Sequence, residues 1–261
     1  MAKRGNVFLM YHELERPGRP LSQTDPGYVR YIVTENDFRA QMEWISKSGF
    51  AGVSVGASLR EPDRPAVVIT FDDGCETDLL VAPPILKQFG FGATFYVTSG
   101  FLGKPGFMSA TQLRELRELG FEIGCHSMTH PYLPDVEEAG LRREIVTAKN
   151  DLEQIVGTPV EHFSCPGGQC DDRVIAIARE GGYSSVATSE IRANDADTDR
   201  FALGRVAILR GVPLGIFSQI CDGRILWKLR LRDRTNRAAK RALGNSSYDR
   251  LRSMLLGARS N

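Results

Sequence analysis

Ala66-Val67-Val68-Ile69-Thr70-Phe71-Asp72-Asp73-Gly74 is a run of apolar β-formers that ends in two adjacent carboxylates and a glycine. Residues of this kind predict a buried strand, because β-branched and aromatic side chains fill a pleated surface. Within a strand, neighbouring side chains point to opposite faces. Past its end the chain is free to aim both carboxylates at one site, where they share a proton or a cation. Further along stands His126-Ser127-Met128-Thr129-His130. Two imidazoles four apart lie on one side of a helical turn, and with one carboxylate they make a three-ligand set that leaves a position open for water or substrate. The two motifs together say far more than either alone.

Outward from the first motif, short β-rich runs recur with helical stretches between them. Strands are predicted near 7–11, 67–71, 93–97, 121–125, 161–165, 184–188 and 205–209, the pattern of a parallel α/β sheet. Thr34 and Ser109, each followed three residues later by an acidic or amide residue, read as helix caps, and Gly49 and Gly120 read as helix stops. The pair Pro83-Pro84 suits the first turn of a helix. Alternation alone fits both a barrel and an open doubly wound sheet. The polar residues favour the barrel: His12, Asp72, Asp73, His126 and the 164–168 turn each follow a predicted strand, and a barrel gathers those ends into one mouth. Neither a G-x-G-x-x-G loop nor a lysine-bearing P-loop follows the early strands, which argues against nucleotide binding.

The composition, 42% hydrophobic and 25% charged over 261 residues, is that of a globular chain with one large domain, or a domain with a tail. No signal peptide or long apolar span is visible, so a soluble cytoplasmic protein, at most peripheral to a membrane, is expected. Five cysteines without regular spacing argue against a disulfide framework. The net charge of +1 conceals a division: residues 222–261 carry 11 Lys+Arg against 3 Asp+Glu, a balance of +8, which leaves −7 for residues 1–221. The expected organisation is a barrel over 1–221 and a basic, helical tail over 222–261. Basic residues mixed with Trp227 and Leu229 suit an interfacial helix on anionic lipid, a helix docked on the acidic body, or, with less support from an acidic body, a nucleic-acid contact.

With residues 70–74 and 126–130 in hand, the chain resembles the polysaccharide deacetylases, the carbohydrate esterase family 4 enzymes that share the NodB homology domain, over roughly residues 7–209. The resemblance implies a distorted (β/α)7 TIM-like barrel, a divalent metal, and hydrolysis of the acetamide of an N-acetylhexosamine in a glycan, glycolipid or sugar precursor. By position, Asp72 resembles the general base, and Asp73, His126 and His130 the metal ligands. Such an ion would polarise the acetyl carbonyl and acidify a water whose proton Asp72 removes. Zn²⁺ is the conservative expectation; two histidines and a carboxylate also suit Fe, Co, Ni or Mn.

The family's third motif, Arg-x-Pro-aromatic, is eroded. Aligning its proline with Pro166 puts Ser164 in the arginine's place and Gly167 in the aromatic's. A backbone N–H at Gly167 can still serve an oxyanion. Arg205 is the candidate replacement for the arginine that orients the base, against the plainer reading of a surface or salt-bridging arginine. No Asp-x-x-x-Trp motif stands around 195–199, and no leucine-flanked histidine comes late in the chain. Met10-Tyr11-His12 instead resembles the N-terminal motif of the poly-N-acetylglucosamine deacetylase subgroup, which makes His12 the expected general acid; a strand-end histidine with structural bonds only is the alternative. His162 is expected to pack or cap locally. Two rivals remain open: an amidase on the same fold acting on a non-sugar cyclic amide, and a barrel that binds carbohydrate without cutting it.

Overall fold

In the computed structural model the backbone is described for residues 5–243 and side chains up to Arg234, so most of the basic tail's side chains lie outside the described residues. The strands are β1 (Asn6–Tyr11), β2 (Leu14–Glu15), β3 (Val33–Thr34), β4 (Ala51–Val53), β5 (Ala66–Phe71), β6 (Thr94–Val97), β7 (Glu122–Cys125), β8 (His162–Ser164), β9 (Ser185–Ala187), β10 (Ala193–Asn194) and β11 (Val206–Ala207). One curled sheet runs β10-β1-β5-β6-β7-β8-β9, with β4 added to β5 and β11 to β1; only the β1–β10 pairing is antiparallel. All seven expected strands form, most of them a residue or two shorter than anticipated. The unexpected strands β2, β3, β4 and β10 are too short to show an alternation.

The gap between β9 and β1 is crossed by the chain around Arg205. Leu203 exchanges hydrogen bonds with β9, its N–H to Val186 and its carbonyl to Thr188, while Val206 and Ala207 pair with Leu9 and Met10 of β1. First and last strands are thus neighbours, and the sheet curls into a mostly parallel α/β barrel.

Alternation divides the barrel into an inside and an outside. On β5, Val67, Ile69 and Phe71 join the larger core beneath the helices, whereas Val68 joins Phe8, Val55, Tyr96, Ala187 and Leu203 in a small interior cluster. Every residue of β1 and β5 is buried, as expected of parallel strands covered on both faces. Counting inward positions by twos gives stacked layers. Thr94, Glu122, His162 and Ser185 open the strands at one end, the apolar cluster fills the middle, and His12, Asp72, His126 and Ser164 stand at the other. At mid-height the ring of Tyr96 lies against Gly124, where a Cβ would come within 2.4 Å of it.

The expected caps are in place. The Thr34 hydroxyl accepts from Asp37 N–H at 3.1 Å, and Ser109 and Gln112 form a reciprocal capping box. Gly49 and Gly120 follow their helices with φ of 81° and 90°. Pro83 and Pro84 are a correction. They lie in the middle of the helix Glu76–Gln88 rather than in a first turn. That helix starts directly after the Asp-Asp-Gly turn, with Glu76 N–H bonded to the Gly106 carbonyl. Each proline removes one intrahelical donor. The helix persists because Leu79, Val81, Ala82, Pro83, Ile85 and Leu86 are all buried against the barrel. Among the described residues no helix is long and apolar enough to cross a membrane.

Candidate active site

Asp72 is the next inward position after Val68 and Thr70, so alternation alone turns it into the mouth. Asp73 ought then to point outward. It is redirected by a left-handed backbone, φ 76°, with Gly74 following at 84°. Among the described residues the non-glycine positions with positive φ are Asp73, Ser127 and His130, all in the two motifs. A left-handed residue with a Cβ costs about 1–2 kcal/mol, so the surrounding contacts must hold these three in place.

Asp72 is buried and held by a fork. Arg205 Nη1 donates to Oδ1 at 2.7 Å and Nη2 to Oδ2 at 2.8 Å. The guanidinium is fully enclosed: it also donates to the Ser164 hydroxyl at 2.7 Å, the Thr70 hydroxyl at 3.2 Å and the Thr188 carbonyl at 3.1 Å, and lies 5.3 Å from the Tyr96 ring centre. Burial alone would raise the Asp72 pKa. The guanidinium prevails, with His126 and His12 behind it, and holds the carboxyl well below the usual range. Of the plainer alternative, a surface or salt-bridging arginine, the surface part is overturned and the salt bridge is present. Ser164, which stands where the family's third motif has its arginine, is one of the groups that position Arg205.

Asp73, His126 and His130 converge, with one ligand atom from each lying within 4.8 Å of the others. His130 Nε2 is 3.4 Å and His126 Nε2 3.6 Å from Asp73 Oδ1, and His126 Nε2 is 3.7 Å from Asp72 Oδ2. Two observations fit these residues to a cation. Asp73 Oδ1 is buried with no hydrogen-bond partner. His126 Nδ1 sits 2.8 Å from the Ser164 carbonyl, which can only accept, so Nδ1 carries the proton and the Nε2 lone pair faces Asp73. Burial is the main cause of a His126 pKa lowered to about 4, which keeps the ring neutral, the form a metal ligand needs.

Glu144 was not anticipated. Its carboxylate accepts from Met128 N–H at 2.9 Å, Thr129 N–H at 2.8 Å and the Thr129 hydroxyl at 2.7 Å, while the Ser127 hydroxyl accepts from His130 N–H at 3.0 Å. These bonds tie down the loop with two of the left-handed residues. Glu144 lies on a π-helical segment, Arg143–Thr147, set into a longer helical run. A signal existed in the sequence. Glu144 falls on the stripe of Leu141, Ile145, Ala148 and Leu152, all fully buried, and a charge on an apolar stripe asks for a partner.

His12 follows β1 on its inward side, beside Asp72, whose N–H donates to the Tyr11 carbonyl. Its ring is 4.9 Å from Tyr31 and 6.3 Å from Tyr28, and its Nδ1 is buried without a hydrogen-bond partner. Burial lowers its pKa, and the upward pull of Asp73 and Asp72 offsets that only in part. Pro166 and Gly167 form the turn after β8. Gly167 has φ 61° and faces Tyr132, whose ring a Cβ would strike at 2.5 Å, so the aromatic of the eroded motif has no room here. His162 is at the opposite end of the barrel, bonded to the Ser185 hydroxyl at 2.9 Å.

Residues 59–186 match the family model described as Polysaccharide deacetylase. The chain is 32% identical over 126 residues to a peptidoglycan-N-acetylglucosamine deacetylase of Bacillus cereus, an alignment covering 47% of this chain and 56% of that protein. It is 21% identical over 197 residues to a poly-beta-1,6-N-acetyl-D-glucosamine N-deacetylase of Staphylococcus epidermidis, covering 68% of each. The fold matches that of the deacetylase PplD of Streptococcus pyogenes, solved in complex with acetate, with a TM-score of 0.73 at 23% identity over 84% of this chain and 99% of that one. Over residues 59–186 the chain carries a polysaccharide deacetylase domain.

Proposed function

We propose that the mouth of the barrel hydrolyses the N-acetyl group of an N-acetylhexosamine within a glycan, with a divalent metal ion held by Asp73, His126 and His130. The observation that carries this reading is the adjacency of two carboxylates in opposite states. Each oxygen of Asp72 accepts one bond from Arg205 and keeps capacity for a proton, whereas Asp73 offers a buried, unpartnered oxygen to two histidine nitrogens. The names of the relatives supply the substrate class, since those proteins act on N-acetylglucosamine polymers.

The ion, when bound, supplies Lewis acidity toward the acetyl carbonyl and toward an attacking water. Asp72, kept ionised and fixed by Arg205, takes the proton from that water at a carboxylate oxygen. Its depressed pKa makes it a weak base, so it works only on a water already made acidic. In this reading the Gly167 N–H donates to the developing oxyanion. His12, when protonated, gives its proton to the departing amine. Because burial lowers its pKa, turnover that depends on this donation falls as pH rises through a value on the acid side of neutrality.

The test is acetate release from chitooligosaccharides and from N-acetylglucosamine polymers by metal-loaded and chelated protein, with metal content measured in parallel. Release that needs the ion, and that is lost in Asp73→Ala together with the metal, is expected. Cleavage of cyclic amides in place of acetylated sugars would assign the site to an amidase. Full metal loading without any hydrolysis would leave a carbohydrate-binding barrel.

A further inference from the structure

The described chain ends in the helix Leu226–Leu243, whose first turns have two unlike faces. Leu226 is buried in the main core and Ile225 and Leu229 pack against it, which anchors the helix on the barrel. Opposite them, Trp227 is 62% and Leu231 60% exposed, the largest exposures of any big apolar side chain among the described residues. At 100° per residue these two, four apart, make one ridge. The same rotation sets Arg230 and Arg234 along one flank of the ridge and Lys228 and Arg232 along the other. Asp233 falls on the docked side. The Lys228 ammonium lies 5.4 Å from the Trp227 ring centre, so its aliphatic stem runs beside the ridge while its charge is carried outward. An apolar ridge between two rows of cations matches the boundary between lipid headgroups and acyl chains.

We propose that this outward face is a docking surface for an anionic lipid bilayer. Charge complementarity decides the occupant. Residues 222–261 have a balance of +8 and the rest of the chain −7, and the first turns of this helix bring Lys228, Arg230, Arg232 and Arg234 together against Asp233 alone. A second copy meeting the same face would oppose its own cations, since a two-fold interface pairs a patch with itself. A nucleic acid needs a basic track across the protein, whereas residues 1–221 carry a balance of −7. A polar contact adds to this anchor: Arg230 Nε donates at 2.9 Å to the carbonyl of Ile191.

Sedimentation of the full-length chain with vesicles tests this independently of any catalytic reading. The protein is expected to pellet with vesicles of phosphatidylcholine mixed with phosphatidylglycerol, to stay in solution with pure phosphatidylcholine, and to be released by high salt. Trp227→Ala combined with Leu231→Ala should weaken binding roughly tenfold at an unchanged melting temperature, because both side chains are mostly in solvent. Lys228→Glu should weaken it at low salt and little at high salt. Absence of binding to the anionic vesicles would overturn the proposal, as would binding indifferent to salt and to the double variant. A lipid-free dimer that the double variant splits into monomers would assign the face to a second copy instead, and retention on nucleic acid lost in the same variant would assign it there.

Discussion

Both ends of the barrel interior carry a carboxylate beside a histidine, and the two pairs behave in opposite ways. At the far end Glu122 accepts from the Ser54 hydroxyl at 3.0 Å, from Gly56 N–H at 3.0 and 3.1 Å, and from the Thr94 hydroxyl at 2.5 Å. Beside it His162 reaches Ser185 with one nitrogen and lies 3.7 Å from Glu122 with the other. Both oxygens of Glu122 and Nδ1 of His162 have partners within the protein, so the cluster closes the barrel and fastens the short helix Val55–Arg60 across its base. At the mouth the strands supply the same residue types, yet Asp73 Oδ1 and His12 Nδ1 are buried without partners and three residues are held in left-handed backbone. Residue type does not separate a reactive site from a structural plug. What separates them is whether hydrogen-bonding capacity is used up by the fold or kept for a ligand.

The sharpest way to break this contrast is to remove charge at each end without changing shape. Asp72→Asn should lose roughly 10²–10⁴ in turnover while keeping its metal, the usual scale for a positioned base. Glu122→Gln should leave the turnover of the folded protein intact and lower only its melting temperature. Acetate release and metal analysis on the two variants decide between them; equal loss of turnover would mean that the far end takes part in the chemistry.

Next in size is Arg205→Ala. It strands a buried carboxylate, and denaturant unfolding should show a loss of about 3–5 kcal/mol together with loss of activity. Arg205→Lys restores the charge but not the fork, so it should recover part of the stability and little of the turnover. An Arg205→Ala protein as stable as the parent would show that the pair contributes nothing to the fold.

Glu144→Gln comes third. The substituted amide can still accept, but with weaker bonds to Met128 and Thr129, and the His126–His130 loop should bind metal about 10–100-fold less tightly, the scale seen when a group behind a metal ligand is changed. Isothermal titration with Zn²⁺ measures it. Unchanged affinity would show that the loop keeps its left-handed residues without this carboxylate.

The smallest effect is a pH slope. Burial lowers the pKa values of His126, to about 4, and of His162 below their ordinary 6.5. The unfolded chain therefore binds more protons between those values, and each group's stabilising contribution is complete above 6.5 and is lost as pH falls through the folded pKa. Melting temperatures of the chelated protein should decline across that window, at no more than about 1.4 kcal/mol per pH unit for each group. Adding metal should steepen the decline, since protons then compete with the ion for His126. A flat profile would mean that neither histidine is buried as a neutral ring.

How far the site could be read in advance depended on the range of the interaction. His12, Asp72 and His126 each extend a strand by one inward step, so the alternation along residues 66–74 and its neighbours places them with no knowledge of the rest. The caps at Thr34 and Ser109 are equally local. Pro83 and Pro84 misled for the converse reason. A local preference for a first turn was overridden by burial of the whole helix, which no neighbour in sequence reports.

The seven main strands, the division between an acidic body and a basic end, and the convergence of two motifs on one mouth were legible in the sequence itself, since period, charge and spacing are written along the chain. The tertiary structure decided between the two readings of Arg205 by setting it on Asp72. Arg205 stands 133 residues from Asp72 and reaches it only because the stretch from Leu203 to Ala207 spans the open side of the sheet. It also decided that His162 closes the barrel while His126 faces its mouth. The two imidazoles stand at opposite ends of parallel strands, and a histidine's task is set by what lies within hydrogen-bonding distance of its two nitrogens.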